Sequence, residues 1–111
     1  MNLQEKVFNA LATLNLPVVK YLNEYDGDYP IIVFREISNV PDVHADNQEF
    51  SSRVMFQISI GTEDDDYFCL EKSVIHVMGD LGFMRVDSQD ILDGVYWRVI
   101  RFSIVEVNDF E

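Results

Sequence analysis

The chain has 111 residues, of which 48% are hydrophobic and 13% aromatic, enough to bury the core of one folded domain. Twenty acidic and eight basic residues give a net charge of −12, which disfavours direct binding to nucleic-acid phosphates. No apolar run reaches the roughly 20 residues that cross a bilayer, and the N-terminus lacks the basic and apolar regions of a signal peptide. The single Cys69 excludes an internal disulfide. We expect one domain over residues 1–111, made in a reducing, intracellular compartment.

The first third of the chain predicts a helix followed by two strands. Residues Leu3–Leu14 repeat apolar side chains at helical spacing, with Asn2 as the N-cap. Pro17 ends the helix because it forces its predecessor out of the helical region. A short strand is predicted over Val18–Leu22, and a longer one over Ile31–Ile37 after an acidic turn.

The middle third predicts a polar loop, an alternating strand and a second helix. Ser38–Gln48 has no apolar period and contains Pro41, so we interpret it as a long loop. Apolar and polar residues then alternate from Phe50 to Ile60, which indicates a strand with one buried face. Thr62 or Asp64 can cap the helix that follows. The buried stripe of that helix comprises Leu70, Val74, Val77, Met78 and Leu81.

The last third predicts a β-hairpin that begins directly after the second helix. Gly82 can end the helix in the left-handed conformation. A short strand over Phe83–Val86, a polar loop and a long strand of β-branched and aromatic residues follow. The order of elements predicts an α+β fold: an antiparallel or mixed sheet of four to five strands, with two helices packed on one face.

The last strand is apolar on both of its sides, which indicates that one side contacts another subunit. Ile100, Phe102 and Ile104 face one side, while Val95, Trp97, Val99 and Val105 face the other. A sheet that is covered on one face should alternate between apolar and polar residues. We therefore expect a second subunit on the other face, because large exposed apolar patches mark interfaces. The residues predicted for this interface are Trp97, Val99, Arg101 and Val105.

Acidic residues cluster in segments that we interpret as loops. Asp42, His44 and Asp46 alternate in the long loop, where a divalent metal ion is an alternative to simple solvation. Asp87, Asp90 and Asp93 are spaced by three, which does not match a calcium loop, so we interpret them as a solvated hairpin loop. The two groups are predicted to supply loop contacts to partners. The residues are Asp42, His44, Asp46, Asp87, Asp90 and Asp93.

No pattern in the chain indicates catalysis. Cys69, Ser73, His76 and Asp80 share one stripe of the second helix, but that stripe lies beside the buried one and no oxyanion site accompanies it. Phosphate-binding loops, dinucleotide fingerprints and paired-histidine zinc motifs do not occur. We expect a protein without enzymatic activity and without a cofactor.

Four segments carry a resemblance to a known family. They are Pro30–Glu36, Phe50–Ile60, the helix exit Leu81–Arg85, and Gly94–Tyr96 running into Ile100–Ser103. In these patterns and in the order of its elements, most of the chain resembles the tail-terminator proteins of long-tailed bacteriophages, also called tail-completion or head–tail joining proteins.

The resemblance implies a structural protein of the virion, located at the head–tail interface and in the host cytoplasm during assembly. It implies a six-membered ring of this chain on the last tail-tube ring, which presents the docking surface for the head connector. The partners are then other copies of the chain, the major tail-tube protein and the head-completion protein, with no membrane contact. DNA passes through the channel, and acidic loops that line it would repel the phosphates.

Two other classes of function remain open. A small acidic inhibitor, such as an immunity protein or a DNA mimic, would bind a basic partner through one continuous acidic face. A metal-binding domain or enzyme would use Asp42, His44 and Asp46. The net charge of −12 also opposes association of six copies at low salt. We therefore expect a monomer in dilute solution and a ring on the tail tube.

Overall fold

The computed structural model describes residues 2–20, 29–45, 48–64 and 67–107, with only the backbone described for residues 42–45 and 48–50. The described helices and strands are α1 (Leu3–Ala12), β1 (Val18–Val19), β2 (Ile31–Ala45), β3 (Gln48–Thr62), α2 (Phe68–Asp80), β4 (Met84–Leu92) and β5 (Tyr96–Val107). The strands form one sheet in the order β1-β2-β3-β5-β4. Only the β1–β2 pair is parallel. The predicted α+β fold is confirmed, with a mixed sheet of five strands.

Both helices pack on one face of the sheet, which we call the covered face. Val7 and Leu11 of α1 and Val74 and Met78 of α2 are fully buried there. Alternate residues of the strands meet them and are at most 4% exposed: Ile32, Phe34, Val54, Phe56, Ile58, Ile60, Ile100 and Phe102. The predicted alternation along β3 is confirmed, since a strand with period two places every second side chain in the same core.

The ends of the helices follow the predicted caps in two places. The Asn2 side chain accepts a hydrogen bond from the Glu5 backbone N–H at 2.8 Å. Gly82 has φ +100°, and Phe83 donates its N–H to the Met78 carbonyl at 3.1 Å. The second arrangement is a Schellman motif, which turns the chain from α2 directly into β4.

The start of α2 corrects one prediction. Neither Thr62 nor Asp64 caps the helix, because Thr62 is the last residue of β3 and the helix begins at Phe68. The Thr62 hydroxyl instead lies within hydrogen-bond distance of the Asp64 and Tyr96 carbonyl oxygens. Tyr67 occupies the N-cap position without a side-chain cap.

The predicted loop over Ser38–Gln48 is wrong, because β2 continues to Ala45 and pairs with β3 along its length. Polar residues fit here because, among the described residues, β1 pairs with β2 at Ile32 and Val33 alone, and the rest of β2 has no described strand beside it on that edge. Proline is tolerated on such an edge, and breaks in the pairing register flank Pro41. The long β2–β3 hairpin contributes to a shape of 52 × 25 × 25 Å.

The predicted loop after Val86 is also wrong. β4 runs on to Leu92, so Asp87 and Asp90 lie on a strand, and only Asp93 of the predicted loop group follows it. A break in the register at Val86 shifts the pairing by one residue. The acidic residues are accommodated because each meets an arginine of β5, as described below.

Candidate functional site

The sheet has a second face, opposite the helices, which we call the open face. No described helix packs against it. Trp97, Val99, Arg101 and Val105 of β5 all lie on this face, since they alternate with the buried Ile100 and Phe102. The neighbouring strands add Val33, Arg35, Met55, Gln57, Ser59 and Ile91. The sequence-based set of interface residues therefore shares one surface, as predicted.

Trp97 packs across β3 onto a glycine. Gly61 is its partner in the register, and a Cβ built on Gly61 would lie 2.7 Å from Cζ3 of Trp97. The Tyr29 ring meets the indole edge-on at a centroid distance of 6.4 Å. Ile31 pairs with Gly61 from the other side and is fully buried, although it lies outside the core cluster of the covered face. Trp97 itself keeps part of its surface exposed.

A groove of about 240 Å³ runs beside Trp97 on the open face. Its apolar walls come from Val33 on β2 and from Trp97, Val99 and Ile91 on β5 and β4. Gln57 and Ser59 of β3 form a polar floor, and Asp93 stands at one end. An apolar side chain of a partner fits a groove of this composition, with polar groups beneath it to fix orientation.

Arginines occupy the part of the open face next to the groove. Arg35, Gln57, Arg101 and Asp87 form one row across four strands. Arg101 donates Nε to Asp87 Oδ1 at 2.8 Å, and a second bond joins Nη2 to Oδ2. The hydrogen bonds from Arg101 lower the pKa of the Asp87 carboxyl, and in turn raise the pKa of the guanidinium. Arg53 lies further along β3, opposite Val105.

A separate polar network joins α2 to the β4–β5 hairpin at the edge of the covered face. Arg98 bonds Glu71 through Nε and Asp90 through Nη1, the latter at 2.9 Å. The Tyr67 hydroxyl donates to Asp90 Oδ1 at 2.7 Å, and the guanidinium lies 5.5 Å from the Tyr67 ring centroid. The hydrogen bonds from Tyr67 and then Arg98 lower the pKa of Asp90, while the bond to Asp90 raises that of Tyr67. The pKa of Arg98 is raised, chiefly by its hydrogen bond to the Glu71 carboxylate.

The predicted acidic loop residues do not come together. Asp87 and Asp90 lie on opposite faces of β4, each paired with an arginine, and Asp93 is an exposed turn residue. Asp42 and His44 belong to β2 near the far end of the hairpin, with side chains outside the described part, and Asp46 lies outside the described residues. Among the described side chains, no group of three His, Cys, Asp or Glu residues could hold a metal ion.

The polar stripe of α2 is an exposed helix surface. His76 Nε2 lies 3.4 Å from Asp80 Oδ2, with the two side chains 77% and 71% exposed. Cys69 is also exposed. At such exposure the pair adds little to stability. The groove beside Trp97 and three further cavities of the described part are lined by other residues.

The sequence analysis did not predict the two ion pairs of the hairpin, although the spacing of their residues in the sequence indicates them. Asp87 and Arg101 are equally far in sequence from Gly94, and so are Asp90 and Arg98. Antiparallel partners of one hairpin have this symmetry, so the repeated Asp-to-Arg spacing indicates a hairpin whose strands meet close to Gly94. The interpretation of residues 87–93 as a loop concealed the pattern.

No protein-family model and no curated protein matches this chain. In the described residues, neither helix is long and apolar enough to span a membrane.

Proposed function

We propose that the protein is a structural assembly subunit that caps the tail tube of a long-tailed bacteriophage as a ring and offers the docking surface for the head connector. In this proposal the open face is the contact between neighbouring copies. Trp97 is the anchor of that contact, with Val99, Arg101 and Val105 beside it.

The observation that carries the proposal is the composition of the open face. Trp97, Val99, Val33 and Ile91 present apolar surface next to a groove, and Val105 is 43% exposed. Apolar surface gathered on one face is typical of an interface, and tryptophan and arginine, which this face combines, are typical of the residues that dominate binding energy. The covered face already supplies a core for both helices, and no described helix lies on the open face.

The elongated shape supports contacts with different partners at the two ends of the molecule. The β4–β5 turn at Asp93 and the far end of the β2–β3 hairpin lie at opposite ends of a molecule 52 Å long. A ring subunit of this kind has to contact the tube on one side and the connector on the other. We propose that these two ends provide those contacts, with Asp93 at one of them and Asp42 and His44 near the other.

Electron microscopy of tails tests the function directly. Tails assembled without this protein should lose their defined length or fail to join heads, and added wild-type protein should restore both. Trp97→Ala should fold but restore neither, because it removes the anchor of the ring contact. Tails of normal length that join heads without this protein would contradict the proposal.

The net charge of the chain predicts the oligomeric state of the free protein. Each copy carries −12, so repulsion opposes association where the Debye length is long. We expect a monomer in sedimentation velocity at micromolar concentration and low salt. A stable hexamer under those conditions would contradict the proposed dependence of the ring on the tail tube.

A further inference from the structure

The open face carries a charge opposite to that of the whole chain. Its described residues include the guanidiniums of Arg35, Arg53 and Arg101 and the carboxylates of Asp87 and Asp93, which leaves this face at +1. The described side chains outside this face comprise eight carboxylates and five lysines or arginines, a sum of −3, and the chain as a whole carries −12. A partner that fits the open face should therefore bring carboxylates to it.

Arg35 is the guanidinium best placed to receive a carboxylate. Arg101 is already held by Asp87 through two bonds. Arg35 is exposed, and its side chain makes no hydrogen bond or ion pair with a described residue. Its register partner is Gln57, which lines the groove. Arg35 therefore stands at the end of the groove opposite to Trp97, with a guanidinium that no described residue holds.

We propose that the groove receives an acidic, partly apolar element of a neighbouring copy, with an apolar side chain against Trp97 and a carboxylate on Arg35. This inference rests on the proposed function, and it names the chemistry of the ring contact. The rows of Trp97 and Arg35 are four β3 residues apart, from Gly61 to Gln57, which is about 13 Å along a strand. The neighbouring element has to present its two groups at that separation.

Charge favours this occupant over two others. Two open faces placed against each other would oppose arginines to arginines, which is unfavourable in a desolvated contact. A single-stranded nucleic acid would be repelled by the −12 charge of the chain. A neighbouring copy brings −3 on the described side chains outside its own open face, so a head-to-tail contact is attractive locally, and such contacts form a ring when the rotation between copies closes.

The test uses the single exposed cysteine, Cys69, for a fluorescent label, with the label on either partner in turn. Fluorescence anisotropy follows the binding of labelled protein to excess unlabelled protein at about 0.3 M NaCl, where long-range repulsion is screened. Arg35→Glu should weaken binding to itself about 10- to 100-fold. Labelled Arg35→Glu should still bind wild-type protein, because its acidic surface can dock on the intact groove of the wild type.

Arg85→Glu is the matched control. It makes the same change in net charge, but Arg85 pairs with the buried Phe102 on the covered-face side of β4 and bonds Ser88. The dissociation constant for its self-association should be within about threefold of the wild-type value, because general repulsion is screened at this salt concentration. Equal losses in the two variants would show a general charge effect and overturn the role of Arg35.

Trp97→Ala separates failure of this inference from failure of the proposed function. If Trp97→Ala abolishes self-association while Arg35→Glu does not, the open-face contact stands and the role of Arg35 is wrong. If Arg35→Glu binds neither itself nor wild type, its acidic surface does not dock on the intact groove of wild type, and the head-to-tail contact is wrong. Wild-type protein that stays monomeric to about 1 mM overturns the groove contact, and association that is equally strong with Trp97→Ala overturns both. Saturable binding of a labelled single-stranded oligonucleotide that Arg35→Glu removes would assign the groove to nucleic acid instead.

Discussion

The two faces of the sheet use alternate residues of the same strands, yet they differ in what they bury. On β3, Phe56 is fully buried under the helices, while its neighbours Met55 and Gln57 on the open face keep part of their surface exposed. The covered face is apolar beneath the helices and polar only where the Arg98 network lies at its edge. The open face mixes an aromatic anchor, short aliphatic side chains and arginines. One face therefore stabilises the fold, and the composition of the other suits a partner.

The largest expected effect tests this division on adjacent residues. Phe56→Ala should lower the free energy of unfolding by about 3–5 kcal/mol, because it leaves a cavity in the core beside Phe83, whose ring lies 5.6 Å away. Met55→Ala should lower it by less than about 1 kcal/mol. Denaturant titration followed by circular dichroism measures both. Similar losses for the two variants would mean that both faces belong to the core.

Breaking the network around Arg98 should cause the second largest loss of unfolding free energy. Arg98→Met removes the partner of Glu71, whose side chain is only 15% exposed, and the unpaired carboxylate should cost about 1–3 kcal/mol of unfolding free energy. Arg101→Met breaks a pair on the open face whose side chains are about 43% exposed, so its loss should be smaller. The same denaturant titrations compare them, and a larger loss for Arg101→Met would reverse the ranking of the two faces.

Gly61 allows Trp97 to lie close against β3 on the open face. Gly61→Ala places a Cβ 2.7 Å from the indole, so Trp97 has to move, at a cost of about 1–3 kcal/mol. Tryptophan emission should shift to longer wavelength as the ring becomes more exposed. Gly79→Ala is the control, because a Cβ there meets nothing within 4 Å and should stabilise α2 by up to about 1 kcal/mol. An unchanged emission spectrum in Gly61→Ala would contradict the close approach of the indole.

The smallest expected effect is the acid dependence of stability. The pKa of Asp90 is lowered in the folded protein, chiefly by the Tyr67 hydroxyl. Its contribution is therefore present above the unfolded pKa of about 4 and is lost as the pH falls through the folded value. Asp90→Asn and Tyr67→Phe should both flatten the fall in thermal stability between about pH 5 and pH 2. A fall as steep as that of wild type in both variants would contradict the lowered pKa.

The covered face could be predicted from the sequence, because period-two alternation on β3 and helical spacing on α1 and α2 each identify a buried stripe. Local chemistry also sufficed for Asn2 and Gly82, where one residue satisfies backbone groups of its own helix. The outer half of β2 could not be predicted in this way. Its polar residues and Pro41 occupy an edge strand, where solvent replaces a neighbour and the apolar period disappears.

The open face was predicted only in part. The alternation of Trp97 and Val99 with Ile100 placed them on a second apolar side, but single-strand patterns carry no register. The groove depends on that register, since Gly61 has to lie opposite Trp97 and Arg35 has to share a row with Gln57 and Arg101. Pairings across strands are set by the whole sheet, so neither the groove nor the ion pairs of β4 followed from one strand at a time.

Trp97 is the only tryptophan of the chain, so its fluorescence reports on the open face alone. Acrylamide quenching of the free protein and of protein assembled on tail tubes measures how accessible the indole is in each state. If neighbouring copies meet at the open face, the quenching constant should fall several-fold on assembly, and the emission should shift to shorter wavelength. An indole that stays equally accessible in assembled rings would contradict the claim that this face joins the subunits.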